Sequence, residues 1–227
     1  MTDAGLAIFV KTPGYSPVKT RLAVECGDDY AEAWYTRAAA AVSAVARQAA
    51  ERLGVHVYWA VAEPAALHER CWTGFDVLSQ GEGGLGERMA KVHAELVARH
   101  GGGLLIGADT PQLSVELLAQ AVHWIQAPTP RLVLGPALDG GFWLFGANVA
   151  PPLHAWTSVR YSEADTADRF IASIAPDGSW QQLPMLVDVD HRPDLRKVLE
   201  ALQRLPQPTD EQRALARWML EHEEVMR

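Results

Sequence analysis

The segment LAIFVKTPGYSPVKTRL, residues 6–22, places a short apolar run directly before a loop that carries three cations. Residues 6–10 predict a buried β-strand, because a short continuous apolar run bounded by turn residues is typical of a strand covered on both faces. Lys11, Lys19 and Arg21 lie in the loop, in a chain whose net charge is −8. Their clustering predicts a phosphate site to which backbone N–H groups contribute, with an ordinary solvated loop as the alternative.

The rest of the chain repeats this alternation of apolar runs and amphipathic segments. Residues 30–53 predict a long helix that Gly54 ends, because their apolar side chains recur at helical spacing. Further strands are predicted at residues 55–61, 75–79, 104–107, 132–137, 142–146 and 183–189. Further helices are predicted to begin at Pro64 and to span residues 85–100, 114–125, 163–174, 193–205 and 209–227. The pattern predicts an α/β fold with a largely parallel sheet and helices on both faces.

Composition limits the class of protein. The 227 residues, 48% hydrophobic, predict a globular domain and exclude a disordered chain. A net charge of −8 argues against nucleic acid as a partner, because no overall positive field attracts phosphate backbones. Cys26 and Cys71 form no Cys-x-x-Cys pair and the histidines show no ligand spacing, so no zinc site is expected. No apolar run has the length of a membrane helix or a signal-peptide core, so we expect a cytoplasmic protein with no membrane partner.

A glycine-rich turn, QGEGGLGERM at residues 80–89, follows the third predicted strand and opens a helix. Its glycines allow the backbone to approach a flat or charged ligand closely, and Gln80 offers an amide to a base edge. The alternative is a flexible connection whose glycines only begin the helix. Together with the first loop, the candidate nucleotide- or phosphate-binding residues are Lys11, Gly14, Lys19, Arg21, Gln80, Gly84 and Arg88.

Carboxylates lie at the ends of three of the later predicted strands. Asp109 comes directly after residues 104–107, where a carboxylate suits a hard cation such as Mg²⁺, and its alternative is a turn or N-cap role. Asp188 and Asp190 alternate along an extended segment, so both point to one face and repel unless they are separated or bridged by a cation. Asp139 precedes two glycines and suits a tight turn.

Two tryptophans, Trp143 and Trp156, lie in the sequence near these candidate residues. Their ring faces suit stacking on a sugar or a base, and the alternative is packing in the core. We therefore keep both as candidates for stacking on a ligand.

Five motifs in this order resemble the DUF2064 family of glycosyltransferase-like proteins, which is related to the phospholactate guanylyltransferases. They are KTPG…VKTRL (11–22), GLGERM (84–89), GADTP (107–111), GPALDGG (135–141) and DVD…DL (188–195). The resemblance covers about residues 6–200 and implies a GT-A, nucleotide-diphospho-sugar transferase-like fold: a three-layer α/β/α sandwich with a mixed, mainly parallel sheet. We expect one domain over residues 1–205, with the segment 206–227 forming a C-terminal helix packed on it.

The resemblance also implies roles for the candidate residues. Lys11, Lys19 and Arg21 match positions that bind the nucleotide phosphates. Asp109 and Asp190 match ligands of a divalent metal, Mg²⁺ or Mn²⁺, with Asp188 in reserve. The resemblance assigns the acceptor side to the Asp-Gly-Gly turn of Asp139, Gly140 and Gly141. We place the two candidate stacking residues, Trp143 and Trp156, on the same side. The expected catalytic residues are Lys19, Asp109 and Asp139.

Two enzyme functions use these parts. In the first, which we favour, a metal holds the diphosphate of a nucleotide sugar while a small-molecule acceptor attacks the anomeric carbon. In the second, a phosphorylated small molecule attacks the α-phosphate of a nucleoside triphosphate and receives the nucleoside monophosphate. Both need charge neutralised on a diphosphate leaving group. A non-catalytic nucleotide-binding protein on the same fold is the third alternative.

Overall fold

The computed structural model describes residues 4–174 and 178–227, and its centre is a seven-stranded sheet. The strands are β1 (Gly5–Val10), β2 (His56–Val61), β3 (Asp76–Ser79), β4 (Gly103–Gly107), β5 (Arg131–Pro136), β6 (Phe142–Ala147) and β7 (Ser179–Gln182). Their order is β3-β2-β1-β4-β6-β5-β7, and β6 runs antiparallel to both of its neighbours. The other pairs of these strands are parallel, so the predicted α/β fold with a mixed, mainly parallel sheet is confirmed.

Helices cover both faces of this sheet. They are α1 (Thr20–Cys26), α2 (Asp28–Leu53), α3 (Leu85–His100), α4 (Val115–Ile125), α5 (Leu153–Thr157), α6 (Thr166–Ile174), α7 (Arg192–Gln203) and α8 (Asp210–Glu221). Short 3₁₀ turns lie at Pro64–Ala66, Arg70–Trp72 and Glu223–Met226. Among these helices, none combines the length and the apolar composition that crossing a bilayer requires.

Two cores separate the three layers, because successive side chains of a strand point to opposite faces. In β1, Leu6 and Ile8 join the core beneath α2, α4, α7 and α8, whereas Ala7 joins the core beneath α3, α5 and α6. This strand is therefore buried on both faces, as its continuous apolar run predicts.

Two predicted elements are wrong. The last strand is Ser179–Gln182, which pairs with β5, whereas the predicted strand at 183–189 makes a single bridge between Ala137 and Leu186. Pro184 accounts for part of this difference, since proline has no N–H to donate to a ladder. The helix predicted from Pro64 is only a 3₁₀ turn. The helices α1 and α5 were not predicted, because seven and five residues are too few to show a helical period.

The sheet order also creates the place where a ligand fits. The chain leaves β1 toward β2 on one side, while β4 pairs with β1 on the other side. Such a reversal of strand order opens a crevice beyond the carboxyl ends of the two strands. Lys11 directly follows β1 and Asp109 closely follows β4, so both lie at this crevice.

The last helix supports the segment that follows Asp109. Leu215 and Met219 of α8 lie in the core beneath α2. The buried amide of Gln212 donates to the main-chain oxygens of Pro111 at 2.7 Å and Leu113 at 2.9 Å. Because these two bonds hold the chain just after Asp109, α8 contributes to the geometry of the crevice although it lies far from it in sequence.

Candidate active site

Two adjoining clefts open at the carboxyl ends of the central strands. The larger cleft has a volume of about 470 Å³ and lies between the first loop and the end of β4. The smaller cleft, of about 180 Å³, lies between the end of β4 and the Asp139 turn. Asp109, Gly107 and Ser162 line both clefts, together with several apolar side chains. Asp109 therefore stands at the junction of two spaces, each of which is large enough for part of a small ligand.

Lys19 connects three separate segments of the chain at this junction. Its ammonium lies 2.7 Å from Asp109 Oδ2 and 3.3 Å from Asp190 Oδ1, and its side chain is only 8% exposed. Arg21 binds the other oxygen of Asp190 at 2.7 Å and remains half exposed. Lys19 has left-handed backbone angles (φ 46°, ψ 47°), which are uncommon for a residue with a side chain and cluster at functional sites.

The ion pair of Lys19 and Asp109 keeps both groups charged. Burial lowers the pKa of Lys19, but attraction to Asp109 and Asp190 outweighs it and leaves that pKa above its usual value. Burial likewise raises the pKa of Asp109, but the ammonium of Lys19 outweighs it and leaves that pKa below its usual value. At neutral pH the junction therefore holds a fixed positive charge between two carboxylates.

Hydrogen bonds from main-chain N–H groups hold the start of the first loop and leave the Lys11 side chain exposed. The N–H of Lys11 donates to the hydroxyl of Tyr35 at 2.9 Å, and the N–H of Thr12 donates to Glu63 at 2.9 Å. Trp72 donates to the hydroxyl of Thr12 at 3.0 Å. The Lys11 side chain is exposed at the rim of the larger cleft. A rigid loop with exposed cations can bind an anion at little cost in ordering.

Asp139, Asp188 and Asp190 form a carboxylate cluster, in which one oxygen of each lies within 4.8 Å of the others. Burial raises the pKa of Asp188 to about 7, and repulsion from Asp139 and Asp109 adds to this rise. Several close carboxylate oxygens are the donor set that a hard divalent cation such as Mg²⁺ prefers. The residues of the carboxylate cluster therefore fit such an ion.

The composition of this cluster differs from the expected metal set. The sequence analysis named Asp109, Asp188 and Asp190 as metal ligands. In the structure the Asp109 carboxylate forms an ion pair with Lys19, and Asp139 lies beside Asp188 and Asp190 in the cluster. The Asp139 turn reaches this place because Leu138 donates its N–H to the oxygen of Leu186 at 3.0 Å. That bond aligns the β5–β6 turn with the segment that leads to Asp188.

The other predicted nucleotide-binding residues are placed differently from one another. Gln80 lines the larger cleft, but its amide nitrogen donates to the oxygens of Val10 and Ala60, at 3.1 and 2.8 Å. Its amide nitrogen is therefore engaged with the main chain. Arg88 donates to the oxygen of Gly83 and secures the glycine-rich turn. Gly14, Gly84 and Arg88 do not belong to the lining of either cleft.

The two candidate tryptophans lie in different environments, one in the clefts and one in the core. Trp143 lines both clefts, and its indole N–H donates to the oxygen of Pro184 at 3.1 Å. Trp156 is 0% exposed and packs against Phe145 and Phe170 in the core beneath α3. Trp156 therefore has no free ring face to offer a ligand, and it supports the wall of the site from behind.

Several residues that line the clefts were not among the predicted site residues. Leu85, Met89 and Tyr161 line the smaller cleft; the first two lie in the glycine-rich segment, of which only Gln80, Gly84 and Arg88 were named as candidates. Ser162, with a positive φ of 64°, lines both clefts. Thr110 follows Asp109 directly and belongs to the GADTP motif, which indicated its position.

Gly140 provides a test of how tightly the Asp139 turn is built. Its φ is +92°, and a Cβ atom there would collide with the main-chain oxygen of Ala164. We expect Gly140→Ala to destabilise the protein by about 2–4 kcal/mol, from backbone strain plus overpacking. Gly14→Ala is the matched control, since φ is +84° there and no atom lies within 4 Å, so only the strain of about 1–2 kcal/mol applies. Equal losses in denaturant unfolding would show that the turn is not packed as described.

Comparison with solved structures identifies the fold. A candidate nucleotide-diphospho-sugar transferase from Desulfovibrio desulfuricans G20 is similar over 100% of this chain and 97% of its own, with 24% identity and a TM-score of 0.82. A 4-diphosphocytidyl-2C-methyl-D-erythritol synthase from Anaerococcus prevotii DSM 20548 shares 10% identity over 90% of this chain and 100% of its own, with a TM-score of 0.55. A CMP:2-keto-3-deoxy-manno-octonic acid synthetase complexed with CTP shares 12% identity over 89% and 100%, with a TM-score of 0.51.

These similarities establish a nucleotide-diphospho-sugar transferase-like fold, as expected. A search of curated proteins finds no match. The model of one family, described as an uncharacterized protein conserved in bacteria (DUF2064), matches residues 41–163. Since this match spans more than half of the chain, and the motifs outside it lie at the same crevice, the protein belongs to the DUF2064 family.

Proposed function

We propose that this protein is a metal-dependent transferase that moves a glycosyl group from a nucleotide sugar to a small acceptor. The observation that carries the proposal is the pair of clefts that meet at Asp109. One cleft is bordered by three cations of the first loop, and the other by carboxylates. A transferase needs two adjoining sites of this kind, one for the donor and one for the acceptor.

The larger cleft suits the donor. Lys11 and Arg21 are exposed at its rim and offer positive charge to a diphosphate, while Lys19 fixes the loop from below. Gln80 lines this cleft with its amide nitrogen bonded to the main chain, so we assign its carbonyl oxygen to an N–H group of the base. Two of the similar structures are named for nucleotide chemistry, one as a nucleotide-diphospho-sugar transferase and one in complex with CTP, which supports a nucleotide ligand.

The carboxylate cluster suits the metal. Asp188 and Asp190 would hold Mg²⁺ or Mn²⁺, with Asp139 close enough to share it. When bound, such an ion neutralises charge that develops on the leaving diphosphate. Asp190 is already held by Arg21 and Lys19, so this ligand is oriented before any ion arrives.

The transfer step follows from this arrangement. The acceptor oxygen forms a bond to the anomeric carbon, and the bond between that carbon and the β-phosphate oxygen breaks. The electron pair of the broken bond leaves with the nucleoside diphosphate, whose charge Lys11 and Arg21 stabilise. The acceptor proton passes to a carboxylate, for which Asp139 is exposed at the smaller cleft and in reach of an acceptor there.

Nucleotidyl transfer is the second candidate, favoured by the number of cations on the first loop. A pyrophosphate leaving group carries more negative charge than a nucleoside diphosphate, and three cations on one loop suit it. In that reaction a phosphate oxygen of the acceptor would attack the α-phosphate, and pyrophosphate would leave with the electron pair.

A thermal-shift panel of the purified protein tests the proposal. Nucleotide sugars, nucleoside triphosphates and nucleosides are compared with and without Mg²⁺ or Mn²⁺, since a ligand at 100 times its Kd adds about 2.7 kcal/mol of stability. We expect a metal-dependent rise in Tm of several degrees with at least one nucleotide sugar. A rise with triphosphates alone would support nucleotidyl transfer, and no rise with any nucleotide would contradict both enzyme functions.

A further inference from the structure

The smaller cleft differs from the larger one in the sign of its charge. Among the described residues that line it, the charged ones are Asp109, Asp139 and Asp188, and none is a lysine, arginine or histidine. The larger cleft, by contrast, includes Lys11, Lys19 and Arg21. This asymmetry restricts which molecule can occupy the smaller cleft beside a nucleotide.

The charge of the smaller cleft stays unfavourable to an anion even after its neighbours are considered. Lys19 neutralises Asp109 at 2.7 Å, but within residues 4–174 and 178–227 no ion pair is formed by Asp139 or Asp188. One divalent cation would cancel the charge of these two carboxylates without leaving an excess of positive charge. A phosphate or a carboxylate would therefore find no side-chain cation in this cleft, and binding one would cost its desolvation.

The remaining walls of the smaller cleft are apolar or neutral. Leu85, Met89, Phe142 and Trp143 line it, as does the ring of Tyr161, whose hydroxyl is occupied by a bond to the oxygen of Trp156 at 2.8 Å. These surfaces suit an apolar or aromatic body.

Three further side chains of the lining, Thr110, Ser162 and Thr166, carry neutral hydroxyl groups. The hydroxyl of Thr110 is buried and has no hydrogen-bond partner in the described part of the chain. A buried hydroxyl without a partner is costly, and a polar group of a ligand would satisfy it.

We propose that the smaller cleft binds the acceptor, and that this acceptor is an uncharged or positively charged alcohol with an apolar or aromatic body and without a phosphate or carboxylate group. The proposal rests on the proposed function, since it names the acceptor of that same reaction. It favours glycosyl transfer over transfer of a nucleotide to a phosphorylated molecule. The acceptor loses a proton and gains the glycosyl group, and no further reactant is needed.

Three probes that share a hydroxyphenyl ring and differ in charge test this proposal. They are tyramine, which is a cation, 4-hydroxyphenethyl alcohol, which is neutral, and 4-hydroxyphenylacetate, which is an anion. Binding of each to the full-length protein loaded with Mg²⁺ is measured by ligand-observed NMR. We expect the cation and the neutral alcohol to bind at least ten times more tightly than the anion.

A charge placed at the rim gives an independent readout. Ser162 is exposed, lines both clefts and makes no side-chain hydrogen bond in the described structure, so it tolerates a longer side chain. We expect Ser162→Lys to reduce the discrimination against 4-hydroxyphenylacetate at least tenfold. Ser162→Gln is the matched control, because it adds similar length without charge and should leave the discrimination unchanged.

The outcomes separate this proposal from the proposed function. Equal or tighter binding of the anion, binding of none of the probes, or identical behaviour of the two Ser162 variants would overturn the acceptor assignment. The thermal-shift panel reports on the binding of nucleotide and metal, and it contains no acceptor. A nucleotide shift together with preference for the anion would keep the transferase and reject only the acceptor class, whereas no nucleotide shift would reject the transferase.

Discussion

Asp188→Asn is expected to stabilise the metal-free protein and at the same time to abolish its metal-dependent binding of nucleotides. Asp188 is partly buried beside Asp139 and Asp190, and no cation within ion-pair distance balances it among the described residues. Removing one of three mutually repelling carboxylates should add about 1 kcal/mol, or 2–4 °C in Tm for a chain of this size. The lost ligand should lower the transfer rate about 100- to 1000-fold.

Melting curves with and without Mn²⁺, together with release of nucleoside diphosphate, measure both effects. Asp165→Asn is the matched control, because Asp165 is a half-exposed carboxylate whose one ion pair in the described structure is with Arg169. It should change neither the metal response nor the rate. A metal-dependent shift that persists in Asp188→Asn would remove this residue from the metal site.

Lys19→Met is expected to weaken the binding of a nucleoside diphosphate about 100-fold while leaving the binding of the nucleoside unchanged. The substitution keeps most of the volume of the side chain but removes the charge that neutralises Asp109 and Asp190. The carboxylates of Asp109 and Asp190 then face the incoming phosphates without the ammonium between them. A hydrogen bond from an ammonium to a phosphate is worth about 1.5–3 kcal/mol, which is the size of the expected loss in binding. We also expect a loss of roughly 2 kcal/mol of stability, because breaking a largely buried pair leaves a charge uncompensated.

Calorimetric titration with the nucleoside diphosphate and with the nucleoside shows whether Lys19 contributes to binding of the phosphates or to binding of the whole nucleotide. Lys91→Met is the control, since Lys91 bonds to the oxygen of Ser79 and lies outside the lining of both clefts. A double-mutant cycle with Asp109→Asn should show that the two losses of stability are not additive. Equal weakening of nucleoside and diphosphate would mean that Lys19 acts on the fold of the loop and not on the phosphates.

Local patterns were sufficient to predict most of the strands and helices. The apolar run of β1 and the helical period of α2 depend on neighbours a few residues away, so the sequence alone predicts them. The strand prediction for residues 183–189 was wrong although the apolar residues there alternate as in a strand. Pro184 interrupts that segment, and the strand that pairs with β5 at the edge of the sheet is Ser179–Gln182. Pairing with β5 is a long-range contact that no local pattern reports.

The sequence by itself determined which groups are available: three cations after the first strand, and carboxylates after the later ones. Only the tertiary structure decided their partners, because Lys19 and Asp190 are 171 positions apart and meet through the folding of the sheet. In the folded chain Asp109 forms an ion pair with Lys19, Asp139 joins the carboxylate cluster and Trp156 is buried. Residue type follows from the sequence, but distance and burial, which set the charge of each cleft, depend on how the whole chain packs.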